Sequence, residues 1–142
     1  MEVTAGWVAF ESNGRESFIP AAAACVTRPR RGPGVPFYQD ASIALQSAVR
    51  QYDENGDEQS IKTILKEARK RDAITLWHLL RRVPPAERGA VYDRVAAFLT
   101  IPSGVTRSGA IDGNAAMLDG LWNSLDLGDT SWWRMWKSHL PQ

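Results

Sequence analysis

Thiols are almost absent from this chain. Its one cysteine, Cys25, excludes an internal disulfide and any cysteine-rich zinc site. Excess charge of one sign is also missing. Lys and Arg number 17 against 16 Asp and Glu, a formal net charge of +1, so no global field drives the chain onto nucleic acid or an anionic membrane. No apolar run approaches the roughly 18 residues that span a bilayer. Met1-Glu2-Val3-Thr4 has neither the basic nor the apolar region of a signal peptide. The chain passes almost at once into a strand-like pattern, which reads as a segment cut from a longer protein. There is no Gly-x-Gly-x-x-Gly, no Walker-type loop, no Gly-x-Ser-x-Gly and no zinc-ligand spacing. No self-similarity at solenoid periods is present. The sequence therefore marks no catalytic residue, no cofactor and no metal.

What is present is an ordinary globular balance, 44% hydrophobic and 23% charged over 142 residues, enough to bury a core without staples. The N-terminal third reads as β. Trp7 to Glu11 and Arg15 to Ile19 are strand-like, and Asn13-Gly14 between them is a strong hairpin signal. Pro20 ends the second strand or holds it at an edge. Cys25-Val26-Thr27 is a candidate third strand. Arg28 to Pro36 carries three prolines, two glycines and three arginines. It reads as a linker or wrapping loop that cannot be helix or central strand.

From Asp40 the apolar spacing is helical. Asp40 is the expected N-cap of a helix from Ala41 to Tyr52. Asp57 or Ser60 caps a second, reaching about Lys70. Asp72 caps a third, to about Arg82, apolar on more than one side and so the most buried. Pro85 suits the first turn of a fourth, ending near Leu99. Thr106 or Asp112 begins the last, with Met117, Leu118, Leu121, Trp122 and Leu125 as its stripe. The short connections imply antiparallel neighbours. The expected fold is α+β, mainly α. A short β-hairpin or meander and a Pro/Gly-rich loop (1–37, possibly the edge of a larger upstream sheet) precede a compact bundle of about five helices (38–142).

Few residues invite chemistry. Asp53-Glu54-Asn55-Gly56-Asp57-Glu58 resembles a calcium loop, but its glycine falls at the fourth position and its twelfth position is Ile64. It reads as a solvated turn. His78 has no carboxylate or second histidine at ligand spacing, so a packed or hydrogen-bonded role is expected. Cys25 follows an alanine run and reads as a small buried hydrophobe. Arg28, Arg30, Arg31, Arg69, Lys70, Arg81 and Arg82 form the candidate partner surface. The third helix is too apolar to lie in a DNA groove.

Six tryptophans remain. Trp132, Trp133 and Trp136 crowd the C-terminus, while Trp77 and Trp122 sit on separate helix stripes. The pattern predicts a shared aromatic core that the tail closes, rather than an exposed handle.

Two stretches carry a resemblance. Gly6 to Phe10, Gly14 to Ala21, Thr27-Arg28-Pro29 and Gly32-Pro33-Gly34 resemble the last strands of the sensor domain in FecR-type (iron-dicitrate transport regulator) proteins. The segment Asp72 to Val83, with Asp93-Arg94, Gly104 to Arg107 and the tryptophan tail, resembles the helical C-terminal extension of some bacterial members. Ala22 stands where that family's turn has glycine. The resemblance implies the C-terminal part of a membrane-anchored, extracytoplasmic regulator that signals by contact. Its partner would be another protein or another domain of the same polypeptide, with no membrane insertion by this segment. Failing that resemblance, a cytoplasmic location is expected. A nucleic-acid-binding domain using basic helices 58–82 is the alternative function, and a small enzyme with scattered residues is the third.

Overall fold

Asn13 and Gly14 both take positive φ, 53° and 75°. That is the two-residue turn whose twist suits paired strands. In the computed structural model, which describes residues 6–127, this turn joins β1 (Trp7–Ser12) to β2 (Arg15–Pro20). The register runs from Ser12↔Arg15 to Trp7↔Pro20. Pairs next to the turn are hydrogen-bonded and alternate pairs are not. Glu16, Phe18 and Pro20 therefore aim their backbone groups away from β1. Pro20 can sit here because its missing N–H would have pointed outward.

The segment after Pro20 folds back on itself. β3 (Ala23–Ala24) pairs with β6 (Phe37–Tyr38), and nested inside them β4 (Thr27–Arg28) pairs with β5 (Gly32–Pro33). Cys25-Val26-Thr27 is thus not one strand: Cys25 and Val26 lie between two short ladders. The Arg28-to-Pro36 stretch wraps rather than links, and Gly32 to Tyr38 is buried throughout. Prolines restrict each ladder to two residues, because a proline cannot donate to it. Gly34 is required by space. A Cβ there would collide with the Asp53 carboxylate and the Val26 carbonyl.

Six α-helices follow among the described residues. They are α1 (Ile43–Asn55), α2 (Glu58–Glu67), α3 (Ala73–Arg82), α4 (Pro85–Phe98), α5 (Arg107–Ile111) and α6 (Ala115–Ser124). A 3-10 turn, Lys70–Asp72, leads into α3. The Ser42 hydroxyl caps α1 by accepting from the Leu45 N–H, so Asp40 is not its cap. Asp40 instead meets Arg69 and Arg71. Asp57 caps α2, Thr106 caps α5 and Asn114 caps α6 through their side chains. The expected last helix is two helices, separated where Gly113 takes φ of 80°. Asp72 precedes α3, but its carboxylate is engaged by the Arg69 N–H and guanidinium rather than by the helix.

The fold is α+β and mainly α. α1 packs on α2, α3 on α4, α4 on α5, and α5 on α6. One hydrophobic core runs from the β segment (Phe18, Ile19, Val35, Phe37) through α3 to Trp122 of α6. Phe18 lies at its centre, 5.1 Å between ring centroids from Trp122 and 6.0 Å from Trp77. Trp77 and Trp122 meet edge to face at 5.0 Å, a geometry that adds to area burial. The Trp77 indole N–H donates to the Leu118 carbonyl at 2.9 Å, which ties α3 to α6. The expected aromatic core thus includes Trp77 and Trp122, with Trp132, Trp133 and Trp136 outside the described residues. No described helix is long and apolar enough to cross a membrane.

Phe18→Ala should lower unfolding free energy by ~3–5 kcal/mol, because the ring is fully buried and its neighbours cannot close over the gap. Urea unfolding measures this, and a loss under about 1 kcal/mol would place Phe18 outside the central packing.

Candidate functional site

A helix as apolar as α3 should carry no polar residue on its inner face, yet Thr75 and His78 are fully buried there and Arg82, half-buried, extends them. Thr75, His78 and Arg82 are spaced i, i+3, i+7 and form one stripe. Each turns to the β segment. The Thr75 hydroxyl donates to the Pro36 carbonyl at 2.8 Å. His78 Nε2 accepts the Phe18 N–H at 3.0 Å. Arg82 Nη2 donates to the Glu16 carbonyl at 3.0 Å and the Ser17 hydroxyl at 2.7 Å, and Nη1 donates to the Pro33 carbonyl at 3.2 Å. Glu16 and Phe18 are the residues whose backbone groups face away from β1. The stripe therefore does for β2 what a third strand would do: it satisfies a buried edge.

The histidine's chemistry follows from this geometry. His78 Nδ1 lies 2.8 Å from the Ile74 carbonyl, which can only accept, so Nδ1 holds the proton and Nε2 is the acceptor. Both ring nitrogens are thereby occupied. The ring is fully buried among Trp77, Trp122 and Phe18. Burial first, then the Arg82 guanidinium, hold its pKa well below the ordinary value of 6.5. A proton on Nε2 would also set two N–H groups against each other.

Asp53 is the second buried group, and it corrects the expectation of a solvated turn after α1. Its two carboxylate oxygens each accept the Val35 N–H at 3.2 Å, under the bare backbone of Gly34. Burial raises its pKa to about 6; the Val35 N–H and the Arg82, Arg15 and Arg28 charges pull the other way and lose. Burial likewise lowers Arg82 to about 10, with Asp53 opposing. The two charges act through space, with no direct ion pair between them. Nothing local in the sequence marks Asp53. A signal for Arg82 and His78 does exist, namely polar residues at helical spacing within an otherwise apolar helix.

Most of the expected partner surface is committed within the fold. Arg28 pairs with Glu54 at 2.7 Å. Arg31 donates to the Asp53 and Glu54 carbonyls at the C-terminal end of α1. Arg69 is held by Asp72 and Asp40, and Arg82 by the β segment. The same device recurs elsewhere. Arg94 donates to the Leu65 and Ala68 carbonyls at the end of α2, and Arg88 to those of Val83 and Ile111 at the ends of α3 and α5. Arginines here neutralise the partial negative charge of helix C-termini. Of the seven predicted residues, Arg30 and Lys70 are exposed without a described hydrogen bond or ion pair. Arg81 makes only a stacking contact among the described residues, its guanidinium 5.2 Å from the Trp77 ring centre.

Three cavities open on this framework. One of about 300 Å³ lies between α3, α4 and the α5–α6 turn, lined by Leu80, Arg88, Ile111 and Leu118 among others. One of about 510 Å³ has apolar walls (Ile74, Leu99, Leu125, Leu127) and a basic rim (Lys70, Arg71), and it reaches the last described residue. The third, about 220 Å³, lies between the β1–β2 turn and the last turn of α3, with His78 beneath it. Its walls are Gly14, Arg15, Glu16, Arg81 and Arg82. Arg15 is not among the residues expected from sequence. Among the described residues no cluster of His, Cys, Asp or Glu has the makings of a metal site. Cys25 is buried, and burial raises its thiol pKa above the ordinary value, against a nucleophilic role. No protein family, curated protein or solved structure matches this chain.

Two outcomes follow from the seam. His78→Leu strands the Phe18 N–H and should cost at least ~1–3 kcal/mol in urea unfolding near neutral pH; an unchanged midpoint would mean the hydrogen bond contributes nothing. The pH response divides between two groups of opposite sense. His78 binds a proton in the unfolded chain at about pH 6.5 and resists it when folded, so acidification below that value removes stability. Asp53 takes up its proton at about 6 when folded and only near 3.8 when unfolded, so the same acidification adds stability. Asp53→Asn deletes the offset. Its stability should fall with acid more steeply than wild type between about pH 6 and 4.5, by up to ~1.4 kcal/mol per unit. Parallel wild-type and variant curves would rule out titration of Asp53 in that window.

Proposed function

We propose that this chain is a non-enzymatic protein-interaction module of a regulatory protein, of the kind its FecR-type resemblance implies. The observation that carries the reading is the fate of the buried reactive groups. His78, Asp53, Arg82, Thr75 and Ser17 all direct their polar atoms at backbone groups of the chain itself. Arg82 alone keeps N–H groups to spare beside a cavity, and no base or nucleophile among them meets one with a free lone pair. At Ala22 the sequence departs from the glycine of the family's turn, while the backbone there takes φ of 66°, the left-handed region that glycine favours. On this reading the partner is another protein or another domain of the same polypeptide, met outside the cytoplasm through exposed residues such as Arg30 and Lys70.

The nucleic-acid reading requires free cations along residues 58–82. There Lys62 pairs with Glu58, Arg69 with Asp72 and Asp40, and Arg71 with Asp40, while Arg82 is bonded to the β segment, which leaves Lys66, Lys70 and Arg81 for a phosphate backbone. Fluorescence anisotropy with a labelled arbitrary duplex, at about 50 mM and 200 mM salt, separates the two. The module predicts no saturable binding at either salt. Micromolar binding that collapses at the higher salt would replace it with the nucleic-acid reading. Photo-crosslinking groups at positions 30 and 70, in cells that express the protein, should each capture one discrete protein that the charge-reversed variants lose. Capture of nothing from either position would overturn the interaction reading.

A further inference from the structure

We infer that the cleft between the β1–β2 turn and the end of α3 is a phosphate-binding site, formed by Arg15, Arg81 and Arg82. The cleft is concave and of about 220 Å³, ample for a phosphate group. Three arginines line it, and Glu16 is the one acidic residue among its walls. Two of the three lack an acceptor among the described residues. Of the other described arginines, Arg28, Arg31, Arg69, Arg71, Arg88, Arg94 and Arg107 are matched to carboxylates or to helix-end carbonyls, and Arg30 and Arg50 stand apart from this cleft. Among the described residues, Arg15 and Arg81 alone are both uncommitted and share one cavity.

The three side chains are also held in different degrees, which suits a site rather than a solvated surface. Arg82 is fixed by the carbonyls of Glu16 and Pro33 and the hydroxyl of Ser17. Those bonds consume three of its five N–H groups and leave Nε and one Nη1 hydrogen. Arg81 lies over the Trp77 ring, a contact that orients a guanidinium without using its donors. Arg15 comes from the hairpin's tight turn, where the backbone has little freedom. Like charges crowd here: Arg15 and Arg81 both act against the protonated form of Arg82. A dianion would relieve that repulsion and accept forked hydrogen bonds from planar donors. Three terms oppose it: Glu16, the Asp53 carboxylate that acts on both Arg82 and Arg15, and the negative end of the α3 dipole. The dipole offsets about half a charge, so three guanidiniums against two carboxylates and the helix end remain net positive.

The test is titration of the protein with inorganic phosphate by calorimetry, in chloride buffer of constant ionic strength, alongside glycerol phosphate. Wild type should show saturable one-to-one binding. Arg15→Gln/Arg81→Gln should weaken it at least tenfold, and Arg30→Gln/Lys70→Gln, with the same loss of net charge, should hold it within about twofold. A tighter constant for glycerol phosphate would identify an esterified phosphoryl group as the ligand, and a tighter constant for free phosphate the inorganic ion. Absence of saturable binding, or an equal loss in both double variants, overturns the proposal. Should circular dichroism show that the first double variant has not folded, wild-type NMR decides the question. Phosphate must then shift the signals of Gly14, Arg15 and Arg81, and shifts confined to other residues overturn the site.

Discussion

One hydrogen bond organises this molecule, from the Phe18 N–H to the imidazole of His78. A two-stranded hairpin is marginal in water, and a hairpin with one edge buried is worse, since each unpaired group costs ~1–3 kcal/mol. α3 resolves this with side chains rather than a strand. His78 takes the N–H of Phe18, Arg82 takes the carbonyl of Glu16, and Thr75 takes the carbonyl of Pro36. With the edge satisfied, Phe18 can drive its ring into the helical core. The aromatic cluster of Phe18, Trp77 and Trp122, drawn from β2, α3 and α6, is then the apolar complement of the polar seam.

The charged residues obey a matching logic. Nine of the fifteen positive side chains among the described residues are hydrogen-bonded or ion-paired within the fold. They close the C-terminal ends of α1, α2, α3 and α5, or pair with nearby carboxylates. A net charge near zero therefore reflects local neutralisation, and the cations left over acquire meaning by contrast. Asp53 follows the same pattern from the acidic side. A carboxylate under Gly34 secures the wrapping loop through the Val35 N–H, even though burial raises its pKa.

Much of this is legible in the sequence, and the illegible part has one physical origin. The Asn13-Gly14 turn, the helix stripes, Pro85 at the start of α4 and the pairing of Trp77 with Trp122 are all local or periodic, and they read directly. Asp40 misleads because Ser42, two residues on, competes for the same cap, and only the distant Arg69 and Arg71 decide between them. Asp53 reads as solvated because its acceptor role depends on a loop 18 residues away. Arg82 reads as surface because its acceptors lie 49 to 66 residues earlier. The wrapping of Gly32 to Tyr38 is half visible, since a Pro- and Gly-rich stretch can wrap or link and only packing decides.

The separation of Phe18 from His78, 60 residues along the chain, also sets the order in which this fold can assemble. The hairpin precedes α3 in the chain and is among the last elements to be secured. Until α3 exists, β2 has an open edge and Phe18 has nothing to bury against. Closing so long a loop carries an entropic penalty that local helix formation does not. Helices α1 to α4 can form and pair with near neighbours first, and the hairpin then docks onto a preformed α3. Nascent or truncated chains ending before residue 78 would therefore carry the β segment as an uncovered strand edge, the part of the molecule most in need of protection against self-association.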